Sequence, residues 1–419
     1  MSWFLALCVS LFVSGISQFL LVAGYIARLR RPAKKLIDDF EAPKATVVLC
    51  LRGGDPFLKR CLHGLNNQDY PNYRVTMVVD SEVDPSRRIL DEFFSEAPLT
   101  NFEVIYLGHP LESCSLKCSS LITALTPKVD SDGFVAFVDA DTIPHPSWLR
   151  ELATGLQPSD VGAATGNRWY IPEQPSLGSM IRHVWNGAAI VQMFWYDIAW
   201  GGTLAVKWDT IRRAKLLERW SHALCEDTML CRELKSISQR IAFVPGCMMI
   251  NREDCTLESF FPWVMRQLLT ARLYHPKWFA VVGHGVTSAG LLLWGWLSFL
   301  RCLCMREWAL ASMYVMAMVS YHALLTVMLP WIESAVISIA ERRGESTRWA
   351  RPVGWLRFAA FVWLTQWVYT WALLGSLGMK RVSWRGIQYE IQTGSRIRMH
   401  GYTPYEKEFD STDTTKQSL

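Results

Sequence analysis

The sequence predicts an α/β domain with a mostly parallel sheet, set between membrane-spanning helices at both ends of the chain. Three observations carry this. One uncharged run at the N-terminus and three near the C-terminus are long enough to cross a bilayer. Between them, short apolar β-branched runs alternate with segments of helical spacing. Acidic residues stand where several of those apolar runs end.

The chain has 419 residues, half of them hydrophobic, with 19% charged and 20 Trp. That excludes a disordered protein, which is poor in aromatics and apolar residues. It also argues against a single soluble domain, because one core rarely grows beyond about 250–300 residues. The net charge of +5 leaves no nucleic-acid footprint. A mean hydropathy of +0.11 fits a chain that lies partly in lipid.

Residues 3–27 contain no Asp, Glu, Lys or Arg. The run is too long for the h-region of a cleaved signal and lacks a cationic start, so it is expected to be an uncleaved anchor (1–30). Arg28, Arg30, Arg31, Lys34 and Lys35 follow directly, and the positive-inside rule then places the next segment in the cytoplasm. Residues 42–277 have an ordinary globular composition and form one cytoplasmic domain.

Within it, Ala45–Leu51 is a buried strand, with a turn at Arg52 to Pro56. Residues 58–67 are helical, Tyr73–Val79 is a strand ending at Asp80, and 86–94 are helical. A third strand spans 102–107, Leu116–Leu125 is a helix, and a fourth strand over 133–138 ends at Asp139. Such a sheet is covered on both faces and binds ligands beyond the carboxyl ends of its strands. Arg52, Asp80, Asp139 and Asp141 are therefore the residues to watch.

The uncharged runs at 279–300, 308–330 and 358–379 make up a C-terminal membrane region (278–380), with aromatic residues crowding their ends. Simple alternation puts Lys380, Arg381 and Arg385 outside, against the positive-inside rule. Residues 330–340 are the stretch expected to be re-entrant or interfacial. Residues 381–419 are expected to be a polar tail, disordered after Tyr405. The eleven Cys show no paired C-x-x-C spacing and are expected to be reduced, small core residues.

The chemistry-bearing residues are mainly acidic. Asp139-Ala140-Asp141 follows a near-continuous apolar strand, and residues two apart in extended chain point the same way. Two carboxylates so placed suit Mg²⁺ or Mn²⁺ shared with a diphosphate, the alternative being a solvated turn. Asp80 is an acceptor at a strand end, suited to a ribose or base, or to a simple turn. Glu226-Asp227 opens a helical run, where the helix dipole keeps a carboxylate ionised and able to take a proton from a hydroxyl. Gly201-Gly202 allows backbone to approach a ligand closely. Lys117 can meet a phosphate or water.

The order of these features, with "NNQDYPNYRVTMVVD", "SLKCSSL", "CEDTMLCREL" and "VSWRGIQYEI", resembles the GT-A fold glycosyltransferases of family 2 type. It is most similar to their ceramide glucosyltransferase-like branch, over roughly residues 1–400. The resemblance implies a UDP-linked sugar donor, glucose in the first place, and inverting transfer to a lipid hydroxyl such as that of ceramide. It implies that Asp80 reads the nucleoside, that Asp139 and Asp141 hold the metal and diphosphate, and that Asp227 is the base. Arg52, Lys117, Gly202, Glu226, Arg266 and Gln267 are the further donor-binding candidates it brings.

This sequence departs from the family at the Gln/Arg-x-x-Arg-Trp motif. Arg266 and Gln267 keep its first position, the Arg-Trp pair is absent, and Arg272 is the nearest substitute. The departure disfavours the alternative, a processive polysaccharide synthase. A membrane scaffold or transporter with a degenerate domain is disfavoured by the retained Asp139, Asp141 and Asp227. The aromatics Trp169, Trp185, Trp195, Tyr196, Trp200, Trp263, Tyr274 and Trp278 are expected either to seat the cleft at the bilayer or to fill a core.

Overall fold

A computed structural model describes residues 2–96, 100–349 and 353–406. An apolar helix, α1 (Ser2–Leu29), leads into the α/β unit. That unit runs β1 (Ala45–Leu51), α2 (Leu58–Asn66), β2 (Tyr73–Val79), α3 (Ser86–Glu96), β3 (Phe102–Tyr106), α4 (Leu116–Leu125) and β4 (Phe134–Val138). It continues with α5 (Trp148–Leu156), β5 (Val161–Tyr170), α6 (Leu177–Tyr196), β6 (Thr203–Lys207), α7 (Trp208–Arg213), α8 (Leu216–Trp220), α9 (Leu230–Ser236) and β7 (Arg240–Asn251). Four helices follow: α10 (Leu257–Tyr274), α11 (Trp278–Cys304), α12 (Trp308–Arg342) and α13 (Trp355–Leu377). The described chain ends in β8 (Arg381–Trp384), β9 (Ile387–Ile391) and β10 (Ile397–His400).

The seven strands lie in the order β3-β2-β1-β4-β6-β5-β7. All neighbours are parallel except β6, which runs against both β4 and β5. The expected mostly parallel α/β architecture is what forms. Its central strands are buried on both faces, β4 along its whole length, which is why they read as continuous apolar runs. The strand order reverses direction beside β1 and β4, and the carboxyl ends of these two strands open onto one crevice.

Among the described residues three helices are long and apolar enough to cross a membrane: α1, α11 and α12. The C-terminal ends of α1 and α12 both meet the α/β unit at β7. Arg28 donates to Phe243 O at 2.8 Å, and Arg343, just past α12, donates to Met248 O at 2.8 Å. At the opposite ends Phe4 packs edge-on against Tyr314, with ring centroids 5.1 Å apart.

The run expected as a fourth span differs. Helix α13 touches the α/β unit or its flanking helix at both ends. Near its start Arg357 donates to Pro175 O at 3.2 Å. At its finish Arg272 of α10 donates to Ser376 O and Met379 O, both at 2.6 Å. Thr365, Gln366, Tyr369 and Thr370 also interrupt its apolar sequence. Residues 330–340 are helix within α12, with Pro330 inside it.

The stretch expected as a polar tail holds the three-stranded β10-β9-β8 sheet, which packs on the α/β unit through Val382, Ile387, Tyr389, Ile397 and Met399. The expectation of disorder beyond Tyr405 lies almost entirely outside the described residues. Of the aromatics singled out above, Trp169, Trp200, Trp263, Tyr274 and Trp278 are buried, whereas Trp195 is exposed. Most of that set therefore fills core. The cysteines are all free.

Candidate active site

A cleft of about 180 Å³ opens beyond the carboxyl ends of β1 and β4. Arg52, Lys117, Asp139, Asp141, Glu226, Asp227, Arg266 and Gln267 all line it. The structure thus gathers eight of the ten sequence candidates on one surface. The other two lie behind it. Gly202 is packed under the Trp200 ring, and its neighbour Gly201 supplies a backbone N–H. Asp80 is 1% exposed and pairs with Arg52, whose side chain reaches the cleft.

Asp139 and Asp141 leave β4 half-buried. Lys117, from the first turn of α4, bridges Asp139 Oδ1 and Glu226 Oε1, each at 2.7 Å. The ammonium is thus held between two carboxylates on the wall of the cleft. Burial works against its charge, but the two carboxylates together raise its pKa well above the usual lysine range. The same bridge, with Arg168 and Arg385 nearby, holds Asp139 below the usual carboxylate range despite its burial.

Asp141 has no such cation. Burial first, then the neighbouring carboxylates of Asp139, Asp55 and Glu253, push its pKa up to about 7. Burial likewise pushes Glu226 to about 7. Two neighbouring carboxylates, of which Asp141 has no ion-pair partner among the described residues, fit a divalent metal that Asp139 and Asp141 would hold. Among the described residues no group of three His, Cys, Asp or Glu encloses a metal alone. Oxygens of a diphosphate and water would have to complete the shell.

Asp227 lies in the turn before α9. Its Oδ2 accepts from Gly201 N–H at 2.9 Å, and its Oδ1 from the backbone and hydroxyl of Thr228 at 2.6 and 3.0 Å. The carboxylate is held in one orientation, half-exposed, with its remaining lone pairs available to a hydroxyl.

A second cavity, of about 220 Å³, lies among α1, α6, α10, α11, α12 and α13. Its walls are mainly apolar, including Leu21, Val22, Val184, Val281, Leu325 and Val362. Arg168, Trp200, Asp227, Gln267 and Thr270 line both cavities. A polar, charged chamber and an apolar one therefore meet at one carboxylate.

Several groups on these walls were missed by the sequence reading. Arg168, on β5, lies over the rings of Trp263, Trp200 and Tyr170 at 4.9, 5.1 and 5.5 Å. Trp384 and Arg385 enter from the turn between β8 and β9, and Arg266 stacks on Trp384 at 4.6 Å. Asp55 and Glu253 stand behind Asp141. Arg272, the expected substitute for the missing Arg-Trp pair, instead caps α13 and does not line the cleft. The retained "VSWRGIQYEI" was the available signal for Trp384 and Arg385.

Asp80, the carboxylate expected at the nucleoside, is already engaged within the protein. Asp80 accepts from Tyr402 OH at 2.9 Å and from Tyr405 N–H at 3.0 Å, besides its pair with Arg52. Arg52 in turn donates to Thr403 O at 3.1 Å.

The chain matches the family described as glycosyl transferase family 21 over residues 5–397. No curated protein matches it. Among solved structures it is similar to the mannosyltransferase PcManGT from Pyrobaculum calidifontis in complex with GDP-Man and Mn²⁺. That likeness has 15% identity and a TM-score of 0.46, over 89% of this chain and 99% of that one. It is also similar to S. aureus TarS, at 16% identity and a TM-score of 0.35, over 73% of this chain and 93% of that one. TarS in complex with UDP-GlcNAc gives 13% identity and a TM-score of 0.34 over the same shares.

Proposed function

The chain belongs to glycosyl transferase family 21, and we propose that it moves a sugar, glucose in the first place, from a UDP-linked donor to the hydroxyl of a membrane lipid such as ceramide. The observation that carries this reading is the position of Asp227 on the wall common to the polar cleft and the apolar cavity. A donor in the first chamber and a fatty alcohol in the second would meet at that carboxylate.

Each residue then has a task. Asp227 accepts the proton of the acceptor hydroxyl, and the oxygen attacks the anomeric carbon from the face opposite the diphosphate. The bond from that carbon to the diphosphate oxygen breaks, its electron pair leaves with the nucleotide, and the anomeric configuration inverts. Asp139 and Asp141 would hold a divalent cation, which when bound would neutralise charge on a departing diphosphate. Lys117 keeps Asp139 ionised and fixed, and Glu226 anchors Lys117. Asp80 acts at the nucleoside end through Arg52, which it orients. Gln267 lines both chambers, and Arg266 lines the polar one.

The basic residues Arg28, Arg30 and Arg31, with Arg342 and Arg343 at the end of α12, lie at the helix ends that meet the α/β unit. By the positive-inside rule the protein is multi-pass, with its catalytic domain in the cytoplasm and α13 lying along the bilayer surface. The lipid hydroxyl then reaches Asp227 without leaving the membrane.

Membranes containing the protein would be incubated with radiolabelled UDP-glucose, UDP-galactose or UDP-GlcNAc and extracted with organic solvent. Label in the organic phase, lost on chelation and restored by Mn²⁺ or Mg²⁺, is the expected result. Label in a high-molecular-weight polymer would overturn the reading in favour of a polysaccharide synthase.

A further inference from the structure

The turn between β8 and β9 is built on Arg385 and Gly386, with φ of +48° and +81°. Left-handed backbone at both central residues is the geometry of a two-residue type I′ hairpin turn, where Asn-Gly is favoured and a long side chain is not. Six described residues other than glycine have positive φ, and only Arg385 among them lines the cleft. Strain of this kind persists where the surroundings over-determine it, and it clusters at ligand sites.

The surroundings of Arg385 do over-determine it. Its Nη1 donates to Arg52 O at 2.9 Å, while Arg52 Nε donates to Arg385 O at 3.0 Å. These reciprocal bonds tie the tip of a C-terminal hairpin to the end of β1. Its Nη2 stands 3.6 Å from Asp55 Oδ2, which is buried and has no hydrogen-bond partner. That distance is an ion pair without a hydrogen bond, so the guanidinium keeps donors to offer.

Two more guanidiniums share the chamber. Arg266, on the face of Trp384, and Arg168, among three aromatic rings, have no carboxylate partner within ion-pair distance among the described residues. Burial and the two neighbouring guanidiniums disfavour the charge of Arg266, a tension that an anionic occupant would relieve.

We propose that Arg385 binds the diphosphate of the donor and remains on it as it leaves, so that the β8–β9 hairpin completes the donor site. As the bond to the anomeric carbon breaks, the electron pair passes to the terminal diphosphate oxygen, and the N–H groups of Arg385 meet the charge formed there. The proposal rests on the nucleotide-sugar reading above and adds to it a residue that touches the substrate.

The test uses the full chain in detergent with Mn²⁺ and measures, by calorimetry, binding of UDP and UMP, with GDP and GMP in parallel. The pair that the wild type binds is scored. In Arg385→Ala the diphosphate affinity is expected to fall by at least about tenfold and the monophosphate affinity by less than about twofold, as loss of one charge-assisted contact implies. Arg385→Lys keeps the charge without the fork and should fall between; it is the variant to score if Arg385→Ala melts early. Arg381→Ala, on the same hairpin but exposed, should bind like the wild type. Unchanged diphosphate affinity, or equal losses for diphosphate and monophosphate, would overturn the role of Arg385. A wild type that binds none of the nucleotides would instead sink the donor reading itself.

Discussion

Asp227 accepts the backbone N–H of Gly201 at 2.9 Å, which ties the turn before α9 to the approach of β6. The bond and the two from Thr228 are made by acceptor oxygens, and an asparagine oxygen can take over one side of that set. Asp227→Asn is therefore expected to keep the fold and nucleotide binding while losing the proton acceptor. Transfer of labelled sugar to lipid should drop by about 10²–10⁴-fold. Activity at the wild-type level would remove Asp227 from the role of base.

The apolar cavity gives a separate handle. Ala188 of α6 is exposed on its wall. A tryptophan placed there fills space that the proposed lipid acceptor would take, without touching the polar cleft. Ala188→Trp should reduce lipid glycosylation by at least about tenfold, equivalent to about 1.4 kcal/mol at the acceptor site, with UDP binding unchanged. Equal loss of both would mean that the substitution damages the fold rather than blocks the acceptor.

Asp80 is nearly inaccessible and binds Arg52, Tyr402 and Tyr405 together. Removing it strips three partners of one acceptor. Asp80→Ala should cost about 3 kcal/mol of stability, read from denaturant melts. It should also loosen the C-terminal segment, so that trypsin cuts sooner after Arg396 or Arg398. A tail as resistant as in the wild type would show that Asp80 does not hold it.

His145 sets an acid limit on stability. It is 5% exposed, with Nε2 near Gly246 O and Nδ1 near Ser147 Oγ, both at 3.1 Å. Burial, aided by Arg343, lowers its pKa to about 3. Because the folded-state value lies below the unfolded value near 6.5, the unfolded chain takes up the proton first. Stability is complete above pH 6.5 and declines as pH falls towards 3. By pH 5 the loss should be about 2 kcal/mol. His145→Gln should flatten this part of the stability–pH curve, and an unchanged slope would assign it to other groups.

How far the sequence could be read depended on the distance between the residues that make each feature. Strands β1, β2 and β4 were legible because each is a local apolar run closed by a polar residue, and Asp139-Ala140-Asp141 came with them. Asp227 was visible because it stands just ahead of a local helical run, α9. Arg385 was not, since its place beside Arg52 is fixed across 333 residues. Arg168 was hidden by a register shift in β5 between Thr165 and Asn167, which breaks simple alternation. The contacts of α13 were hidden differently: its run of uncharged residues says nothing of the hydrogen bonds that Arg357 and Arg272 make at its two ends.

The wall of the cleft that Trp384 and Arg385 supply is joined to β1 by the reciprocal bonds between Arg385 and Arg52, across 333 residues. A chain cut before β8 would keep all seven strands of the main sheet and yet leave that cleft open on one side.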